Sequence, residues 1–174
     1  MSKIITTHLT LDSPVEDVWQ TLTTLTSYHE WNPFITSAAG VLALGQRLDL
    51  TIHSPGGRPI RFKPWVTSNK PHHYVEWLGR LGMPGIFDGR HSFALTPLSG
   101  GRTLLQQSET FTGVLVPLTG SMLDRTREGF NSMNEALARH TPWSGVEAQA
   151  VAPRARRPPE AGGSDQRSTS TGHH

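Results

Sequence analysis

The hydrophobic positions of this chain change their period along its length. Over residues 3–11 they alternate, Ile5, Thr7, Leu9 and Leu11 against Ile4, Thr6, His8 and Thr10, which predicts a strand. Ser13-Pro14-Val15-Glu16 then joins a capping serine, a proline at the first helical position and a glutamate three residues after the cap. That pattern predicts a capping box opening a helix that ends near Thr24, with Val15, Val18, Trp19, Leu22 and Leu25 on its apolar face. Residues 27–31 predict one further helical turn, stopped at Asn32-Pro33 because a residue before proline avoids the α region. From Phe34 to Gly113 the period becomes two, and turn signals arrive at Gly45, Pro55-Gly56-Gly57, Asn69-Lys70-Pro71, Gly82-Met83-Pro84-Gly85 and Ser99-Gly100-Gly101. Six antiparallel strands are predicted, at 35–44, 46–53, 58–67, 73–80, 86–96 and 102–113.

Over 118–139 the step returns to three and four. Leu115, Leu118, Met122, Thr126, Gly129, Phe130, Met133 and Leu137 align on one face, and Asp124, Arg127, Glu128, Asn131, Glu135 and Arg139 fall on the other. Pro117 suits a first turn, and Glu135 and Arg139 form a favourable i, i+4 pair. Gly120 and Gly129 each disfavour the helix by about 1 kcal/mol relative to alanine. Such glycines imply either close packing against a sheet or space kept for a ligand. The resulting order is one strand, two short helices, six strands and a long helix. This is an α+β chain of about seven antiparallel strands, and the sheet must curl around the last helix, whose apolar stripe alone is long enough to cover it.

Composition adds limits. A chain of 174 residues supports one domain with a real core and needs no covalent staple. There is no cysteine, so disulfides, thiolate nucleophiles and cysteine-based zinc sites are excluded. No apolar leader opens the chain and no run approaches the ~20 residues of a membrane helix, so a cytoplasmic protein without an integral membrane segment is expected. The formal charge is only +2, and no stretch interleaves clustered Lys and Arg with aromatics, which argues against nucleic acid. After Trp143 large apolar residues almost vanish, so the expected domain is 1–141 and residues 142–174 are expected to be a disordered Pro/Arg/Gly/Ser-rich tail.

Three stretches carry a family resemblance: Ser13-Pro14-Val15-Glu16-Asp17-Val18-Trp19, Tyr28-His29-Glu30-Trp31-Asn32-Pro33-Phe34 and Glu109-Thr110-Phe111-Thr112-Gly113-Val114-Leu115. With Gly85-Ile86-Phe87-Asp88-Gly89-Arg90-His91-Ser92-Phe93, and over residues 3–140, the chain resembles the SRPBCC superfamily. That superfamily comprises the START and Bet v 1-like helix-grip proteins, and the resemblance is to its polyketide cyclase/dehydrase and lipid-transport branch. The resemblance implies a helix-grip fold enclosing an apolar cavity between sheet and C-terminal helix. It does not settle activity, because one fold hosts carriage, cyclisation, hydrolysis and regulation.

Taking the apolar face of each strand, the expected lining is Phe62, Pro64 and Val66, Val75 and Trp77, His91, Phe93 and Leu95, with Gln107, Glu109 and Phe111. Trp31 and Phe34 would close one end, and Met122, Thr126 and Phe130 would face them from the helix. The same side chains would equally serve as plain core. If Ser99-Gly100-Gly101 is a three-residue hairpin loop, Leu98 pairs with Arg102 and His91 falls opposite Glu109. These two are the candidate catalytic pair, a carboxylate and an imidazole able to pass a proton, or else a structural ion pair. The run 79–85 lacks phosphate-loop spacing, and His72-His73 point to opposite faces, so no metal and no cofactor is expected. The leading expectation is a binder of a hydrophobic small molecule. A cyclase/dehydrase-type enzyme using Glu109 or His91, and a chaperone-associated or regulatory module, are the alternatives; the residues leave oligomeric state open.

Overall fold

The computed structural model describes residues 2–118 and 120–142, so the expected tail lies, past Pro142, outside the described residues. Strand β1 (Ser2–Leu11) leads into helix α1 (Val15–Thr23), a 3₁₀ turn (Leu25–Ser27) and the single-turn helix α2 (Tyr28–Trp31). Strands β2 (Ile35–Ala39), β3 (Asp49–Ile52), β4 (Ile60–Phe62), β5 (Trp65–Lys70), β6 (Tyr74–Leu81), β7 (Phe87–Leu98) and β8 (Arg102–Thr112) follow. A 3₁₀ turn (Val116–Leu118) precedes helix α3 (Gly120–His140). The architecture is the expected α+β arrangement, an antiparallel sheet packed on a long C-terminal helix.

The strands divide between two sheets, ordered β1-β8-β7-β6-β5 and β2-β3-β4. Residues 58–67, expected as one strand, supply both β4 and β5, and Pro64 is the break. It has no N–H for a ladder, and its carbonyl instead accepts from the Leu48 amide at 2.9 Å. Hydrogen bonds from Gly45 and Leu48 to Val66 and Pro64, and from Val66 back to Gln46, stitch the two sheets together there. The first hairpin is shorter than expected for a similar reason. Gly40 turns the chain away at φ 120°, where a Cβ would meet the Arg47 carbonyl at 2.9 Å.

Two local expectations are corrected. The capping box does not form: Pro14, extended at φ −58° and ψ 152°, is the N-cap, and the cap makes no side-chain hydrogen bond. Ser13 is turned into the core, where its carbonyl accepts from the Thr103 hydroxyl at 2.8 Å. The apolar stripe expected from Leu115 to Leu137 also packs only in part. Thr126, Gly129, Phe130, Met133, Ala136 and Leu137 are buried, Met122 is half-buried, and Leu115 and Leu118 are exposed. Strand β8 ends at Thr112 and α3 begins only at Gly120, so Leu115 and Leu118 fall in the connection between them and not on the helix face.

Gly129 is placed by close packing, though the partner is not the sheet: a Cβ there would overlap the Phe34 ring. Gly120 has nothing within reach. The core closes with Tyr28, whose hydroxyl donates to the Leu22 carbonyl at 2.7 Å, and whose burial pushes its ionisation far above the usual phenol range. No helix among the described residues is long and apolar enough to cross a membrane.

Candidate functional site

The β7–β8 hairpin turns on Ser99-Gly100-Gly101 with Leu98 opposite Arg102, and this register sets His91 opposite Glu109. Both residues lie on the face that α3 covers, since the His91 ring meets Phe130 edge-on at 5.0 Å. Cross-strand pairing arranges that face in rows. One row runs Ile5, Glu109, His91, Trp77 and Val66; the next runs Thr7, Gln107, Phe93 and Val75. On the other side of the first row, toward the start of α3, come Lys3, Phe111, Gly89 and Gly79.

His91 is the centre of an aromatic cluster. Trp77 stacks on it at 4.9 Å, Phe93 meets it at 4.8 Å, and Phe34 reaches Phe130 edge-on at 5.5 Å. Phe93 and Phe130 are fully buried, and Trp77 and Phe34 nearly so. The middle of the expected cavity is thus occupied by the protein's own rings. Alternation of β-residues puts these aromatics on one face, and their size, together with the 21-residue helix above them, closes the gap.

The polar groups form a chain through this cluster. His91 Nδ1–H donates to Glu109 Oε2 at 3.2 Å, and His91 Nε2 lies 3.4 Å from the Gln107 amide nitrogen, which also donates to Met133 Sδ at 3.6 Å. A carboxylate at Nδ1 and an N–H donor at Nε2 are both satisfied by the neutral imidazole protonated on Nδ1. Gln107 Oε1 is buried without a partner. Nearby, Asn134 donates to Thr7 Oγ1 at 2.9 Å, and its own Oδ1 is also unpaired.

Exposure changes along the same line. The His91 side chain is 5 % exposed and that of Glu109 is 15 %. The carboxylate therefore reaches the edge of the packed centre. Gly89 makes this possible, because a Cβ there would stand 2.5 Å from Glu109 Oε1. Beside it Gly79 leaves room for the Phe62 ring, which comes from the second sheet and lies 3.1 Å from where a Cβ would sit. Phe87 stacks on Phe111 at 5.4 Å. Phe62, Phe87, Met122 and Leu123 are all half-buried against the core, and beyond them Met83, Val114, Leu115 and Leu118 are exposed. The site therefore grades from sealed rings at His91, through Glu109, to an apolar rim at the N-terminal end of α3.

Most of the expected lining residues meet here: Phe34, Trp77, His91, Phe93, Glu109, Phe111 and Phe130 at the centre or its edge, Phe62 and Met122 at the rim. Trp31 does not join them. It stacks on His140 at 5.8 Å, and ten helical residues from Phe130 amount to about 15 Å along α3. Asn134, Phe87 and the Gly79/Gly89 pair were not foreseen. Asn134 follows Phe130 by four residues and so shares its face, a signal that the polarity of the side chain conceals. Two clefts, of about 240 Å³ at Asp17, Thr24 and His140 and about 210 Å³ at His53, Pro55 and Gly129, are lined by neither His91 nor Glu109. Among the described residues no group of three or more His, Asp or Glu side chains is gathered to hold a metal.

The family described as polyketide cyclase / dehydrase and lipid transport matches residues 3–140. No protein of curated function matches. Solved structures share the fold. A ZhuI aromatase/cyclase from Streptomyces sp. R1128 superposes with a TM-score of 0.66 at 14 % identity, over 81 % of this chain and 94 % of that one. A START superfamily protein from Mycobacterium smegmatis gives 0.63 at 20 %, over 79 % and 96 %. A truncated norcoclaurine synthase from Thalictrum flavum gives 0.64 at 16 %, over 80 % and 92 %.

Proposed function

The chain belongs to the polyketide cyclase/dehydrase and lipid-transport family, and from that footing we propose that it binds a hydrophobic small molecule, a lipid, polyketide or other aromatic. The seat is the end of the sheet-to-helix space bounded by Phe62, Phe87, Phe111, Met122 and Glu109. One observation carries this reading: Phe62, Phe87, Met122 and Leu123 are apolar side chains left half-buried at that end, beside a carboxylate that reaches the edge of the packed centre. Apolar surface left half-covered beside a few polar groups is the usual make-up of a small-molecule site. The ligand enters by displacing Phe62 and Met122, while the ring cluster around His91 forms the floor.

A second reading is favoured by the His91–Glu109 hydrogen bond. The carboxylate is open to the seat on Oε1 and held through Oε2 by the Nδ1–H of a buried imidazole, so Glu109 is oriented to take a proton from a ligand. Aldol closure and dehydration of a poly-carbonyl chain need such a group, and an aromatase/cyclase shares the fold.

Native mass spectrometry of protein purified without detergent tests the first reading. A retained apolar molecule supports it; no retained mass, together with no binding of an environment-sensitive apolar dye, defeats it. Glu109→Gln separates the two readings. A binder keeps most of its affinity for an apolar ligand that has no hydrogen-bond donor, whereas a proton-transfer enzyme loses turnover by about 10²-fold or more.

A further inference from the structure

The polar group that reaches the seat is an acceptor. The donor beside it, His91 Nδ1–H, is already engaged on Glu109 Oε2. Glu109 Oε1 stands over Gly89, at the edge of the packed centre, with its partner oxygen used. A partly buried carboxylate oxygen gains from a ligand that supplies a donor, and loses its water to one that does not.

We infer that the molecule taken at this seat is apolar with a head that donates hydrogen bonds, a hydroxyl or an amine, and is not an organic acid. This rests on the binding reading above. A carboxylate head would bring a second negative charge against Glu109 and leave Glu109 Oε1 unmatched. Lys3 lies on the same face at the end of β1, but it is exposed there and its charge is spent largely on solvent. The ether or ester of the same body would fill the apolar rim and make no bond to the carboxylate.

The test is calorimetric or fluorescence titration of the full chain with three probes of one shape: naphthol, methoxynaphthalene and naphthoate. Naphthol is expected to bind about tenfold or more tightly than either of the others, the gain of one hydrogen bond to a charged acceptor. In Glu109→Gln the gap between naphthol and naphthoate is expected to close to within about threefold, because the repelling charge has gone. Equal binding of naphthol and methoxynaphthalene, or tighter binding of naphthoate, overturns the inference while leaving an apolar seat in place. No binding by any of the three overturns both. If Glu109→Gln does not fold, the ranking on the unaltered protein decides the matter alone.

Discussion

The ring of Phe34 occupies the space that a side chain at Gly129 would fill. Phe34 sits in the turn between α2 and β2, and Gly129 sits in the middle of α3, so this one contact fixes how the helix lies against the first strand of the second sheet. Phe34 is 2 % exposed and also meets Phe130 edge-on at 5.5 Å, so any shift of the ring disturbs the core. The poor helix propensity of glycine is retained here for the sake of a close approach.

Gly129→Ala is therefore expected to destabilise the protein by about 2 kcal/mol, since overpacking a filled site outweighs the roughly 1 kcal/mol that alanine gains in a helix. Urea denaturation measures this. In a Phe34→Leu background the same substitution is expected to be neutral or stabilising. Equal effects in both backgrounds would show that the contact does not govern the packing.

Gly89→Ala is expected to separate folding from function. Its Cβ would stand 2.5 Å from Glu109 Oε1. The obstacle is the far end of a flexible side chain, so the carboxylate swings away, at a cost of about 1–3 kcal/mol for leaving the buried His91 N–H without its acceptor. The swing removes the hydrogen bond to His91 and the acceptor at the seat. Naphthol affinity should fall several-fold in a variant that still folds, with a modestly lowered thermal midpoint; unchanged affinity would mean that the carboxylate does not meet the probe.

The opposite face of the sheet supplies a pH-dependent prediction. Glu76 accepts from Tyr74 at 2.6 Å and from Thr67 at 2.7 Å, and pairs with Arg90. Burial alone would raise its ionisation, but the hydrogen bonds from Tyr74, Thr67 and Arg90 outweigh that and hold the carboxyl below its ordinary value. A depressed carboxyl contributes stability that is present above the unfolded value of about 4.3 and is lost as pH falls through the lower folded value. Glu76→Gln is expected to lower stability at neutral pH by about 1 kcal/mol. The difference from the unaltered protein should shrink as pH falls below about 4. A gap that stays constant from neutral to acid pH would exclude an ionic role for Glu76.

What could be read in the sequence was whatever depends on near neighbours. Alternation in 3–11 and 102–113, the three- and four-residue step of 118–139 and the tight loop at Ser99-Gly100-Gly101 each have a local cause. The His91–Glu109 pairing followed from them, since a hairpin of known loop length has one register. Tertiary structure decided matters of space and of competition between distant groups. Pro64 divided an apparent strand because the Leu48 amide and a second sheet were there to receive it. Ser13 gave up its cap because its carbonyl meets Thr103, ninety residues away. The apolar stripe of α3 was legible from Met122 to Leu137, yet only tertiary packing determined that Phe130 is sealed and that Leu118, in the turn before the helix, is left bare. The ring cluster at His91 and the room that Gly89 leaves for Glu109 are likewise properties of volumes meeting across strands and helix. A linear pattern records which face a side chain takes, but not how much space remains once the opposing side chains have taken theirs.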